Sequence, residues 1–208
     1  EAELSYRKAI ELKPSYAEAH YNLGNVLKDL GKLQDAFDSY LKVIQINPSF
    51  SNIYPSITKF LKDADLSQLN KSNLKKILNL LLERNDLPHK ELQKVFNFLY
   101  SNEIIISLEK LDSVFSNTNL LINKKVIINA LKKITLKDIR LEKLLTNLRK
   151  YLCNKITKNK EEISYSELKL IIALGEQCFL NEYVYSLTEE EKVSLKTIIK
   201  KCQDNELS

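Results

Sequence analysis

The sequence repeats itself at a fixed offset. Residues 1–16, EAELSYRKAIELKPSY, align with residues 35–50, DAFDSYLKVIQINPSF, with identities at Ala2/Ala36, Ser5/Ser39, Tyr6/Tyr40, Lys8/Lys42, Ile10/Ile44, Pro14/Pro48 and Ser15/Ser49. A fixed period of this size marks a repeat architecture, in which each unit buries its apolar face against the next. Within the period, Leu23, Leu27, Leu33, Phe37, Tyr40 and Ile44 recur at helical spacing and predict two packed helices. The 208 residues include three glycines and four prolines, too few turn residues for a β-sandwich or barrel. A doubly wound nucleotide fold would use most of that glycine in its phosphate loop alone. The expected fold class is all-α.

The complete unit, residues 17–50, reads AEAHYNLGNVLKDLGKLQDAFDSYLKVIQINPSF. Gly24 and Ala36 are small, so two helices can approach closely there. Gly31 suits the left-handed residue that ends a helix, and Pro48 cannot continue a helix interior. Leu23, Gly24, Leu27, Gly31, Ala36, Tyr40 and Pro48 together resemble a tetratricopeptide repeat, and two helices at this period fit that family. The large aromatic usual at the fourth position is His20 here, with Tyr21 beside it. From Ser51 the pattern weakens: Tyr54, Ile57 and Leu61 keep it, but Thr58 replaces Gly24, Asn70 replaces Ala36 and Leu82 replaces Pro48. The expected organisation is a truncated solenoid over residues 1–66, comprising an orphan second helix, the complete unit and a divergent unit from residue 51. An α-helical domain is expected over 67–208.

Helical patterning continues through Leu74, Ile77, Leu78, Leu81 and Leu82. A further helix opens near Asp86 and Pro88, and others are expected near 103–116, 120–134 and 138–157. Ser164 with Glu167, and Thr188 with Glu191, read as capping boxes. The stretch IIALGEQCFLNEYVYSLTEEE (171–191) resembles the helical region that precedes the catalytic domain in bacterial tetratricopeptide-containing class I S-adenosylmethionine-dependent methyltransferases. Ala173, Leu174, Gln177, Cys178, Phe179, Asn181, Glu182 and Tyr183 carry that likeness. It implies a methyltransferase domain, with its S-adenosylmethionine, beyond Ser208. The chain also lacks methionine, even at position 1, and so is expected to lie within a longer polypeptide. No cofactor is expected within these residues, because no strand runs into a glycine-rich loop.

No catalytic constellation stands out. His20 occupies a packing position, His89 falls in a first helical turn, and Glu189, Glu190 and Glu191 suit the dipole of a helix start. Cys153, Cys178 and Cys202 are too widely spaced for a zinc site or a disulfide framework and read as reduced thiols, which fits a cytoplasmic setting. No run of about 18 apolar residues predicts a membrane span. Binding is the better expectation. Glu18, Asn22, Asn25 and Asp29 fall on one face of the first helix of the complete unit, opposite Leu23, Leu27 and Leu30. The family resemblance implies that this polar face lines a groove. It further implies that Asn22 contacts peptide backbone and that Asn25 matches an asparagine of chaperone-tail-binding repeats. An amide both donates and accepts, so it can hold an extended backbone. The alternative is a solvated face of a pure scaffold. Because the face is exposed, alanine at Asn22 and Asn25 is expected barely to alter stability.

The net charge of +5 is concentrated between residues 67 and 160, with 12 Lys/Arg in 124–160 against Asp138 and Glu142. Only four of the 32 basic residues are arginine, and no aromatic platform accompanies them, so nucleic acid is not the expected partner. A protein or peptide partner at the groove is. The leading expectation is a non-catalytic scaffold that presents a partner or substrate to the downstream methyltransferase. The alternatives are a helical part of that enzyme itself or a purely structural scaffold.

Overall fold

The computed structural model describes residues 1–109, 124–136, 138–158 and 164–180, together with 189, 192–194 and 196–197 near the C-terminus. Every regular element among them is helical. The order is α1 (Ala2–Leu12), α2 (Ala17–Asp29), α3 (Leu33–Ile46), α4 (Ile53–Asp63), a short 3-10 turn (Leu66–Gln68) and α5 (Lys71–Glu83). A second 3-10 turn (His89–Leu92) leads into α6 (Gln93–Glu109), followed by α7 (Lys125–Lys133), α8 (Ile139–Lys158) and α9 (Tyr165–Leu180). The chain forms two compact units, Glu1–Leu99 and Tyr100–Ser208. By packing the division therefore falls at 99/100. The change expected at 66/67 concerns repeat character and remains a proposal about where the repeats end.

In the first unit α2 packs closely on α3, and α1 packs on α2. A β-carbon added at Gly24 would lie 2.6 Å from Cε1 of Tyr40, so only glycine lets the Tyr40 ring cross α2 there. Ala36, Phe37, Tyr40 and Val43 of α3 are fully buried beside Leu23 and Leu27 of α2. The turn between the helices is a Schellman motif: the Lys32 N–H donates to the Leu27 carbonyl at 2.9 Å, and the Gly31 N–H to the Lys28 carbonyl at 3.0 Å. Gly31 takes φ 73°, the left-handed geometry that glycine adopts without strain. Leu30 sits at the cap of α2, where the chain leaves the helical path. It is 57% exposed rather than on the packed face as its spacing predicted, and Leu33 and Ile44 are only half-buried.

Each loop into the next first helix is closed by a ring donor. The His20 Nε2–H donates to the Pro14 carbonyl at 3.0 Å and, one period on, the Tyr54 hydroxyl donates to the Pro48 carbonyl at 2.8 Å. Phe60 of α4 stacks on Phe37 at 6.0 Å and meets Tyr40 edge-on at 5.6 Å, joining α4 to α3. Beyond α4 the hairpin geometry changes. α4 and α5 each pack on the His89–Leu92 turn. The cause lies at the two crossing positions. Buried Thr58 returns its hydroxyl to the Tyr54 carbonyl, and Asn70 is the N-cap of α5, its Oδ1 accepting the Asn73 N–H at 3.1 Å. Neither position has the small side chain that brings α2 and α3 together.

α6 runs unbroken from Gln93 to Glu109, so residues 103–109 of the separate helix expected over 103–116 instead continue it, and residues 110–116 lie outside the described residues. In the second unit α9 packs mainly on α7 and also on α8. Its interior includes Ile127, Leu131, Leu141, Leu148, Leu170 and Ala173. The Ser164–Glu167 capping box is formed: the Ser164 N–H donates to Glu167 Oε2 at 2.9 Å and the Glu167 N–H to Ser164 Oγ at 3.3 Å. The Thr188–Glu191 box and Asn181, Glu182, Tyr183 and Cys202 lie outside the described residues.

Candidate functional site

An open cavity of about 480 Å³ lies between α2 and α4. Tyr21, Asn25 and Lys28 line it from α2, Tyr40 from α3, and Ser56 and Lys59 from α4. The rings of Tyr40 and Phe60 are buried beneath it. Tyr21 sets one wall, its hydroxyl 2.9 Å from Ser56 Oγ and its ring 5.3 Å from that of Phe50.

Of the four polar residues expected to form the groove, the cavity gathers only Asn25. Glu18 and Asp29 are exposed and Asn22 is half-buried, all three outside the lining, and Asp29 lies 3.5 Å from the Lys28 ammonium. Asn25 is not merely solvated: its Oδ1 accepts the Tyr40 hydroxyl at 2.9 Å. Burial, then the neighbouring Tyr21 and Asp29, push the Tyr40 phenol well above the ordinary tyrosine range, so it remains a donor at neutral pH. Lys28, Ser56 and Lys59 were missed. The repeat offset contained the signal for the last two, since it carries Asn22 to Ser56, Asn25 to Lys59 and Asp29 to Asp63. Lys59 makes no ion pair among the described residues, whereas Asp65, also in the lining, accepts from Ser67 and Gln68.

The residues expected to pack the repeat divide by role. Leu23, Gly24, Leu27, Ala36 and Tyr40 are buried, Gly31 shapes the exposed turn, and exposed Pro48 offers its carbonyl to Tyr54. His89 Nε2–H donates to the Arg84 carbonyl at 2.8 Å, so both histidines hold backbone. In the second unit the Arg149 guanidinium donates to Cys178 Sγ at 3.0 Å, and Cys153 is buried. Three cations of the basic segment, Lys124, Lys132 and Lys155, pair with Glu103, Glu176 and Glu167. Among the described residues no group of three or more His, Cys, Asp or Glu could hold a metal ion, and no helix is long and apolar enough to cross a membrane.

Comparison with protein families agrees with this geometry. Residues 17–50 match the family described as tetratricopeptide repeat, and residues 1–31 match a second family described as TPR repeat. Among curated proteins no match is found. The segment spanning residues 1–50 is tetratricopeptide repeat, with α1 as the second helix of one unit and α2–α3 as a whole unit.

Proposed function

We propose that the cavity between α2 and α4 binds a segment of a protein partner in extended form, and that the chain acts as a non-catalytic binding scaffold. The observation that carries this reading is the lining itself. An apolar, aromatic floor lies beneath Asn25, Lys28, Ser56 and Lys59, all able to donate hydrogen bonds to a peptide's carbonyls or carboxylates. Asn22 and Glu18, on the same helix beyond the cavity, would extend the contact along the bound chain. The test is selection of a random peptide library on the immobilised protein, with counter-selection on Lys59→Glu. Lys59 is exposed, so its substitution leaves the packing intact. Peptides that prefer the unaltered protein are expected, and a selection yielding none would discard the reading.

A finer version of this function has the repeats delivering a substrate to an S-adenosylmethionine-dependent methyltransferase domain beyond Ser208. Its support is the resemblance of residues 171–191. Sequencing past Ser208 tests it directly: a strand followed by a glycine-rich turn favours it, and further repeats favour the plain scaffold.

A further inference from the structure

We infer that α9 is a self-association surface of the second unit, pairing antiparallel about a two-fold axis with α9 of a second copy of this chain. The inference is independent of the cavity in the first unit. α9 packs on α7 and α8 and buries Leu170, Ala173, Leu174 and Gln177. Its opposite face is apolar as well. Tyr165, Leu168 and Ile172 stand at i, i+3 and i+7, the spacing by which two helices pack along a seam, yet they are 72%, 46% and 46% exposed. An apolar stripe of this kind, rimmed by charge, marks an interaction surface. Gly175 continues the same face. A β-carbon built there meets nothing within 4 Å, so nothing in the unit requires glycine at that position. Glycine is nonetheless disfavoured against alanine in a helix interior. A helix approaching closely from outside accounts for it.

The charges beside the stripe select the occupant. Lys169 and Glu176 are both exposed and flank it along one edge, two helical turns apart. The Lys169 ammonium lies over the Tyr165 ring, 4.1 Å from its centroid, and Glu176 lies 3.7 Å from the Lys132 ammonium of α7. A two-fold axis crossing α9 between residues 172 and 173 sets Lys169 against Glu176 of the second copy, and Glu176 against Lys169 of the second copy. One operation thus makes two opposite-charge contacts, as a self-complementary interface requires. The same operation brings Tyr165 to Leu180 of the second copy, which is also exposed, and seats Ile172 near the axis, where Gly175 of the second copy leaves room. An in-register parallel pair would instead set Lys169 level with Lys169 and Glu176 level with Glu176, and such like-charge contacts oppose it. A seam of one 16-residue helix per copy buries less than a standard interface, so the dimer is a weak one.

Sedimentation equilibrium of the full chain at low salt, over a series of concentrations, reads the dimer constant. The parent is expected to dimerise in the micromolar range. Ile172→Glu puts a charge into the stripe without entering the unit's interior, and should weaken dimerisation by about 10-fold or more. Lys169→Glu and Glu176→Lys each turn both contacts into like-charge pairs, and each should weaken it by about 5- to 20-fold. Mixed in equal amounts, these two variants restore opposite charges at both contacts, so the mixed dimer should return to within about 2-fold of the parent's affinity. The circular dichroism spectrum should be the same in all variants. Should Ile172→Glu change it, the two charge variants, made at exposed residues, decide alone. A parent that stays monomeric overturns the inference, whether another segment of the chain or another protein covers the stripe. A dimer untouched by the variants also overturns it, because association then lies elsewhere. Charge variants that weaken the dimer but do not recover on mixing overturn the antiparallel pairing and the inference with it.

Discussion

Gly24→Ala tests the central packing claim, because two well-characterised effects oppose each other at this residue. In a helix interior, alanine is favoured over glycine by about 1 kcal/mol. At Gly24 the new methyl would lie 2.6 and 2.8 Å from Cε1 and Cδ1 of Tyr40, inside contact distance, and Tyr40 is buried and cannot swing away. Overpacking of that kind costs about 1–3 kcal/mol. Displacing the ring also strains the hydrogen bond to Asn25, worth about 0.5–1.5 kcal/mol. Taking midpoints, a gain of about 1 against losses of about 2 and 1 leaves a net destabilisation of about 2 kcal/mol. Gly175 is the control: it lies inside α9 with nothing within 4 Å of an added β-carbon, so Gly175→Ala should gain about 1 kcal/mol. Native-state hydrogen exchange reads each locally, in the α2 and α3 amides for the first and the α9 amides for the second. If Gly24→Ala raised protection in α2 as Gly175→Ala does in α9, the Tyr40 ring would not cross at Gly24, and the site built on it would be lost.

Ala36 is wholly buried at the start of α3, so Ala36→Leu should cost about 1–3 kcal/mol, read as a lower urea midpoint with an unchanged slope. Asn22→Ala and Asn25→Ala should differ in stability although both lie on one helix face. The first stays within about ±0.5 kcal/mol, and the second loses about 1–3 because it strands the buried Tyr40 hydroxyl. Glu167 is held below the usual carboxylate range, first by the Lys155 ammonium at 2.7 Å and also by Ser164. A depressed folded pKa gives stability that is full above the unfolded value near 4.5 and fades as pH falls through the lower folded value, so α9 exchange should accelerate in that acid window and Glu167→Gln should flatten the dependence. The chain is expected not to bind S-adenosylmethionine in calorimetry, since Gly24, Gly31 and Gly175 serve a helix crossing, a turn and a helix interior and form no ligand loop.

The α2–α3 hairpin was legible because its determinants are local and chemically strict. Gly31 must be left-handed and Gly24 and Ala36 must be small, and sequence shows all three directly. Periodicity misplaced Leu30, since a helical count continues past the residue at which the Schellman turn ends the helix. It also split α6, where a separate helix was expected from residue 103 but the helix from Gln93 runs on to Glu109. At the site, the polar face of α2 was visible, yet the member that bonds to the buried Tyr40 could not be distinguished. Asn25 and Tyr40 are 15 residues apart and meet only because Gly24 lets the ring through. An exposed-face reading therefore assigned Asn25 no structural role.

The same limit explains why the repeat stops in sequence before the bonding pattern does. In three alternate loops a ring donor closes onto a backbone carbonyl: His20 to Pro14, Tyr54 to Pro48 and His89 to Arg84. Tyr54 follows His20 by one period, and His89 follows Tyr54 by one residue more than that, with the acceptor five residues back instead of six. An imidazole N–H and a phenol O–H perform the same task, and any residue can supply the carbonyl. Identity at these positions is therefore not required for the bond to persist, and a single-residue shift in spacing is enough to hide it from an alignment at fixed offset. Leu92 and Phe96 then take up, one residue late, the buried places held by Ile57 and Leu61 in α4. The His89–Leu92 turn and the start of α6 thus carry the bond and the burial pattern of a first helix, while small residues at the crossing, which α4 and α5 lack, are what a close hairpin requires.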